Sequence, residues 1–386
     1  MLRLVLRNLL KHPLRSLLTV GSLVVALFLL CLLRSLVTAL NAGVEAANAQ
    51  RLIVQSAVSL FVDLPTSYQT KIEAVDGVAS VAKWQWFGGY YQDPGNFFAQ
   101  FAVDGAELFD MYPELEIVEG SQEGFLARRT SCVIGEGLVR DFGWKVGETI
   151  PIIGALFPGP GGEAWQFDVA AVYRPTRPNL DPRTLFFHWD YFAQTEREIT
   201  GEEPKVGVFV TRLAPGADAT AVMATVDSLF ANGPQRVQTT TEAEFNRQFV
   251  SMVGNLPRFI GAIGGGVLLA ILLACVNTML MAGREQTHDV GILKALGFTN
   301  ASVLRLLLVQ SFVLCGVGGG LGILLAISSA AGIAATMGQY FPGYEVRTAT
   351  ILLAAAVTIG IGFLAGIFPA WQAGRRSPVE DLRATI

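Results

Sequence analysis

Histidine and cysteine are scarce in this 386-residue chain, three of the first and four of the second, and only 16% of its residues are charged. Cys31, Cys275 and Cys315 fall in long apolar runs and Cys132 stands alone in the polar middle of the chain, so no disulfide can form within that middle region. His188 is its single histidine. Without a Cys/His cluster or a Gly-x-Ser-x-Gly turn, the region lacks the usual nucleophile and metal constellations, and His188 reads as a structural residue. No Gly-Lys dipeptide occurs anywhere, which excludes a Gly-x-x-x-x-Gly-Lys-Ser/Thr phosphate loop. The apolar runs carry no charged residue apart from Arg34 at a boundary, and their polar groups are Asn277, Gln310 and a few other amides and hydroxyls. That argues against a proton- or ion-coupled carrier, which needs such groups at membrane depth.

What the chain does have is length of apolar sequence. Four uncharged runs, Ser16 to Leu33, Phe259 to Gly283, Leu306 to Tyr344 and Thr348 to Gly374, meet or approach the roughly 20 helical residues that cross a bilayer. The third exceeds one crossing, and Phe341-Pro342-Gly343 supplies a turn at its end. Arg3, Arg7, Lys11 and Arg15, then Arg284, Lys294 and Arg305, then Arg375, Arg376 and Arg383 flank the runs on one side, against Arg347 alone in the short loop opposite. The positive-inside rule therefore places both termini and the 284–305 loop in the cytoplasm. A cleaved leader is the competing reading of the first run, since Ala47-Asn48-Ala49 resembles a cleavage site. It lies too far past Leu33, and the uncharged run is longer than the core of about 7 to 15 residues in a leader.

The expected organisation is a membrane protein with four transmembrane helices and a large α+β extracytoplasmic domain between the first and second. Its segments are a cytoplasmic amphipathic arm at 1–15, a first span with the start of a stalk at 16–40, and the periplasmic domain with stalk helices at 41–257. A second span at 258–283, a cytoplasmic loop at 284–300 and a third span at 301–333 follow. An outer loop at 334–347, a fourth span at 348–372 and a cytoplasmic tail at 373–386 complete it.

Charge divides with this organisation. Residues 41–258 hold 16 Lys and Arg against 27 Asp and Glu, and the remainder 12 against 5. An acidic outer region on a basic membrane body argues against a nucleic-acid partner. In the outer region, stretches rich in Val, Phe, Trp and Tyr predict strands over 50–59, 78–91 and 97–103, and helical spacing appears at 67–75 and 218–231. Asp93-Pro94-Gly95-Asn96 predicts a turn that makes 84–103 a hairpin. Its aromatics, Trp84, Trp86, Phe87, Tyr90, Tyr91, Phe97, Phe98 and Phe101, read as core and cross-strand pairs. Ser131 to Glu136, a helix to Phe142, and strands at 147–152, 167–173 and 206–212 suggest a second unit. Residues 53–240 are expected to fold apart from the spans. Helical signals at 35–51 and 241–252 predict two stalks.

One charged loop then carries a resemblance. Glu285-Gln286-Thr287-His288-Asp289-Val290-Gly291-Ile292-Leu293-Lys294-Ala295-Leu296-Gly297 resembles the loop of FtsX/MacB-type (type VII) ABC permeases, Glu-Arg-Thr-Arg-Glu-Ile-Gly-Ile-x-Lys-Ala-Leu-Gly. Gln286 and His288 stand where the pattern has arginines, and Asp289 where it has glutamate. The tail from Phe368-Pro369-Ala370 to Pro378-Val379-Glu380-Asp381-Leu382-Arg383 resembles the same family's ending, and Arg7 to Arg15 its N-terminal arm. Val103-Asp104-Gly105 through Val133-Ile134-Gly135-Glu136 is more loosely similar to its MacB-like extracytoplasmic domain.

The resemblance implies a permease subunit of an ABC transporter in the bacterial cell inner membrane. Such a subunit converts ATP hydrolysis by separate cytoplasmic ABC ATPase subunits into motion of its outer domain, for export or lipoprotein handling. The alternative it leaves open is a non-transport regulator that activates a periplasmic or cell-wall enzyme. It implies that Arg284, Glu285, Asp289, Gly291, Lys294 and Gly297 couple to the ATPase, with Arg375, Pro378, Leu382 and Arg383 as a supporting contact. Catalysis, ATP and Mg belong to the partner ATPase, and the chain itself carries no cofactor and is not an enzyme. The other implied partners are a second permease copy or paralogue and a periplasmic adaptor or lipoprotein carrier.

Overall fold

The computed structural model describes residues 13–177, 180–252, 256–285, 291–292, 294–337 and 344–375. Two units make it up, Met1–Leu40 with Asn255–Ile386, and Asn41–Gly254. The first described element is α1 (Pro13–Ala46), one continuous helix. At 1.5 Å per residue its 34 residues run about 51 Å, well beyond the ~30 Å of a hydrocarbon core.

The unit Asn41–Gly254 is built on strands. In chain order these are β1 (Arg51–Ser56), β2 (Leu64–Pro65), β3 (Val78–Trp86), β4 (Gly89–Tyr90), β5 (Gln100–Val103), β6 (Leu115–Gly120), β7 (Ser131–Gly135), β8 (Thr149–Gly154), β9 (Trp165–Pro175), β10 (Leu185–His188), β11 (Lys205–Val206), β12 (Val208–Leu213) and β13 (Val237–Thr241). Between and after them lie α2 (Tyr68–Glu73), α3 (Gly105–Met111), α4 (Gln122–Leu126), α5 (Glu136–Phe142), α6 (Trp189–Thr200), α7 (Ala219–Leu229) and α8 (Glu242–Met252). Among the described residues, eleven strands join one sheet in the order β13-β1-β12-β3-β5-β10-β7-β9-β8-β4, with β6 also on β9, and β11 pairs with β2 separately. Within the sheet β5–β10 and β7–β9 are parallel, and the other pairs are antiparallel.

Alternation along the strands sends side chains to two cores. Leu52, Val54, Cys132, Ile134, Leu185 and Phe187 enter one, where Ile72 of α2, Leu138 of α5, Phe192 of α6 and Val226 of α7 cover them. Ile53, Val133, Phe186 and Val210 enter the other, under Leu108 of α3 and Phe125 of α4. A register shift on β9 switches its parity. Phe167 and Val169 face the first core, whereas Ala171 and Tyr173 face the second.

The expected hairpin is present as β3 against β5, with Trp84 opposite Val103 and Trp86 opposite Phe101. Its turn closes through a 2.8 Å bond from Asn96 N to Asp93 O. Trp84, Phe87 and Phe98 are buried as core, whereas Phe97 is exposed. The expected second unit is not separate. β7, β8, β9 and β12 belong to the same sheet, and β10 joins the halves by lying between β5 and β7. At four residues, all buried, Leu185-Phe186-Phe187-His188 is too short and too uniform to show an alternation in sequence.

The other unit packs the membrane part of α1 with α9 (Leu256–Glu285), α10 (Asn300–Met337) and α11 (Thr348–Arg375). Leu23, Leu27 and Cys31 of α1 meet Cys275 and Met279 of α9, Leu314 and Cys315 of α10, and Ala354, Ile361 and Ala365 of α11 in one core. Small residues set the spacing. A Cβ on Gly318 would sit 2.6 Å from the Leu23 Cβ, and one on Gly322 would sit 2.7 Å from the Val24 carbonyl oxygen, so α10 lies directly against α1. The Ser311 hydroxyl donates to the Gly362 carbonyl at 2.8 Å and ties α10 to α11. Leu269, Leu273, Leu324 and Ile359 point outward and exposed, as lipid-facing residues do. The chain is thus a membrane protein with four apolar spanning helices and a large mixed α and β domain between the first and second.

The boundaries of the outer unit correct the expectation for residues 53–240, because those limits remove Arg51, Leu52 and Glu242, all buried. A fragment spanning Asn41–Gly254 is expected to unfold in urea in one cooperative transition. Trimming to 53–240 strips the partners of a buried ion cluster and is expected to lower stability by about 3–5 kcal/mol. Equal stability of the two fragments would show that the trimmed residues contribute nothing.

Candidate functional site

The segment expected to couple to a partner lies between α9 and α10. Arg284 and Glu285 end α9. Gly291, Ile292, Lys294 and Ala295 are helical, Gly291 being buried, and Leu296 N bonds to Ile292 O at 3.0 Å. Gly297 closes the turn at φ 93°, the left-handed conformation that glycine adopts without strain, with its N–H on Lys294 O at 3.0 Å. Thr299 then caps α10, its hydroxyl accepting from Ser302 N at 3.3 Å. Between two spans this leaves Ile292, Leu296 and Phe298 exposed, Leu296 at 72%. Ile292 and Leu296, four apart, share one helix face. Asp289 lies outside the described residues, as do Pro378, Leu382 and Arg383, while Arg375 is the last residue of α11.

A second constellation went unnoticed in the sequence. Arg51 opens β1 with no exposure to solvent. Its guanidinium donates to Glu114 Oε1 at 2.6 Å and Oε2 at 3.0 Å, to Glu242 Oε2 at 3.0 Å and to the Met111 carbonyl at 2.6 Å. It also lies over the Tyr112 ring, 3.9 Å from its centroid. Glu242 Oε2 accepts in addition from Asn48 N at 2.6 Å. Desolvation works against the Arg51 charge, but Glu114 and Glu242 outweigh it and hold its pKa above the ordinary arginine value. A buried charge of this kind is tolerated only with such bidentate partners.

A crevice of about 680 Å³ opens at the carboxyl ends of β5 and β10. These parallel neighbours send their following helices to opposite faces, α3 to one core and α6 to the other, which makes a topological switch point. On its floor Lys83 Nζ reaches Asp104 Oδ1 at 3.0 Å and Gln69 Oε1 at 3.0 Å. Arg128, Arg129, Glu107 and Asp190 form its rim. Burial raises the Asp104 pKa against the hydrogen bonds and charge of Lys83. His188 lies in the wall, stacked on Phe125 at 4.1 Å between ring centroids, with Nε2 2.7 Å from the Phe125 carbonyl.

Comparison with known proteins places two family models on the chain. A MacB-like periplasmic core domain matches residues 16–229, and an FtsX-like permease C-terminal region matches residues 261–378. The macrolide export ATP-binding/permease protein MacB of Sodalis glossinidius is 32% identical over 136 residues, covering 34% of this chain and only 19% of that protein's own length. The uncharacterized ABC transporter permease MJ1507 of Methanocaldococcus jannaschii is 25% identical over 327 residues, 81% of this chain and 77% of its own. Among solved structures, the periplasmic region of MacB from Actinobacillus actinomycetemcomitans aligns with 53% of this chain and 95% of that one at 10% identity, with a TM-score of 0.39.

Burial depresses the His188 pKa, against the bond to Phe125 O. The folded state therefore favours neutral imidazole, whereas the unfolded chain takes up a proton below about pH 6.5. Stability from this group is present above that pH and lost as pH falls through the folded value. The thermal midpoint of the outer domain is expected to drop between pH 7.5 and 5.5, and His188→Gln should reduce that drop. An unchanged drop in the variant would assign the effect to other groups.

Proposed function

Because this chain belongs to the MacB/FtsX-type family of ABC transporter permeases, we propose that it turns ATP hydrolysis by a separate cytoplasmic ATPase into motion of its outer domain. The observation that carries this reading is the apolar face of Ile292 and Leu296, with Phe298 beside it, exposed on a short helical segment between two spans. A bare connection has no use for exposed apolar side chains there, whereas a partner groove does. Gly297 fixes the segment's end, so a push on it is delivered to α10 and not absorbed by a slack loop. Arg284, Glu285, Asp289, Gly291 and Lys294 complete this contact, and Arg375, Pro378, Leu382 and Arg383 support it. ATP and Mg are held by the partner, and this chain performs no catalysis itself.

In this reading the basic flanks keep both termini and the 284–300 segment in the cytoplasm of a bacterial cell, and residues 41–257 lie outside the inner membrane. The permease works as a pair, with an identical copy or a paralogue, in export or lipoprotein handling, together with a periplasmic adaptor or lipoprotein carrier. The spans offer a hydrophilic cargo little to bind. The charged crevice between α3 and α6 does offer such groups, which supports recognition by the outer domain.

Two measurements test this reading. Gly291→Trp, Asp289→Arg and Leu296→Asp are each expected to cut transport per ATP at least tenfold in the reconstituted complex while the permease stays folded in the membrane. Wild-type turnover and transport in all three would reduce the segment to a connection. Photocrosslinkers at Arg128 and Asp190 are expected to capture cargo or its carrier, and those at Leu269 and Ile359 are not. Capture from the span positions alone would overturn recognition by the outer domain.

A further inference from the structure

The Arg51 cluster gathers three stretches of chain. Asn48 and Arg51 follow the end of α1, Glu242 is the first residue of α8, and Met111 to Glu114 lead from α3 into β6. The first two are the places where the unit Asn41–Gly254 continues into the rest of the chain. They share a single carboxylate oxygen, since Glu242 Oε2 accepts from both Asn48 N and Arg51 Nε. Two further bonds run alongside, from Asn246 Nδ2 to Gly43 O at 3.2 Å and from Gln55 Nε2 to Gln248 Oε1 at 2.9 Å. The third stretch belongs to the far half of the sheet, because β6 pairs with β9, six places from β1 in the strand order. The Arg51–Glu114 pair therefore crosses in one step what the ladders from β1 to β6 cross in seven.

We propose that Arg51 is the positioning residue that makes the outer domain move as one body. It binds both connecting segments to each other through Glu242 and loads their displacement onto β6 and β9 through Glu114. The chemistry suits a joint under load. Separating any member leaves a charge in a site that water does not reach, so the cluster resists opening far more than an exposed ion pair would. The bidentate geometry fixes direction as well as distance. Lysine, a point charge with three donors, could not hold Glu114, Glu242 and the Met111 carbonyl in this plane. The inference rests on the transmission reading above and adds to it the residue through which motion enters the sheet.

The test uses the full-length permease with its ATPase in nanodiscs, comparing backbone hydrogen exchange with and without ATP plus vanadate. In the wild type, nucleotide is expected to change exchange at residues 43–51, 242–252 and 111–120 together. In Arg51→Met the change at 111–120 is expected to fall at least fivefold, while ATP turnover and the change at 242–252 persist. Glu114→Gln and Glu242→Gln keep the size and part of the hydrogen bonding of the native side chains, and they decide the matter if Arg51→Met does not fold. A wild-type response at 111–120 in folded variants would overturn the proposal and leave the transmission reading standing. The absence of any response in the outer domain of the wild type would overturn both. A merely structural role for Arg51 would lower the melting temperature and leave the nucleotide-dependent pattern intact.

Discussion

A guanidinium sealed from water has to be matched on every donor, and Arg51 imposes that requirement on this protein. Meeting it draws together residues 63 and 191 positions away in sequence. Those partners fix where the strand after the first span begins, where the helix before the second span starts, and how the segment before β6 lies across the sheet. Hydrophobic burial stabilises the two cores without specifying direction. The ion cluster supplies direction where the domain follows α1 and where α8 begins.

The sheet can accept such a fixture because its two halves are already interleaved. β12 comes late in the chain yet lies between β1 and β3, and β10 lies between β5 and β7. Neither half can be removed without exposing the edge of the other. The same interleaving creates the crevice: parallel neighbours whose helices leave to opposite faces necessarily part at their carboxyl ends. The crevice and the continuity of the sheet thus come from one topological choice.

The spans were legible because their signal is local. Eighteen or more residues without charge can be recognised with no knowledge of what surrounds them, as can Asp93-Pro94-Gly95-Asn96 as a turn. The strand β10 was not, since four consecutively buried residues carry no alternation. The cluster was not, since an arginine beside Leu52-Ile53-Val54 resembles an ordinary flanking charge until its partners are in place. A charged residue opening an otherwise wholly buried strand was the one available hint. The Gly291 to Gly297 segment was singled out by its pattern, and a turn at Gly297 with it, but the pattern did not disclose that Leu296 stands out into solvent.

The glycines of the membrane unit make close contacts on α10 and few on α9. Gly318 and Gly322 bring α10 against α1, and Gly319 brings it against Thr358 of α11, whereas on α9 Gly264 only touches Leu33 and Gly261, Gly265 and Gly266 have nothing near them among the described residues. About a tenth of α9's most apolar window is buried, against a third or more for each of the other three helices. Cys275 and Met279 still hold α9 in the common core, but most of its apolar surface is left open. An uncovered apolar helix has to be covered by lipid or by another helix, so α9 is a face on which the membrane unit meets its surroundings.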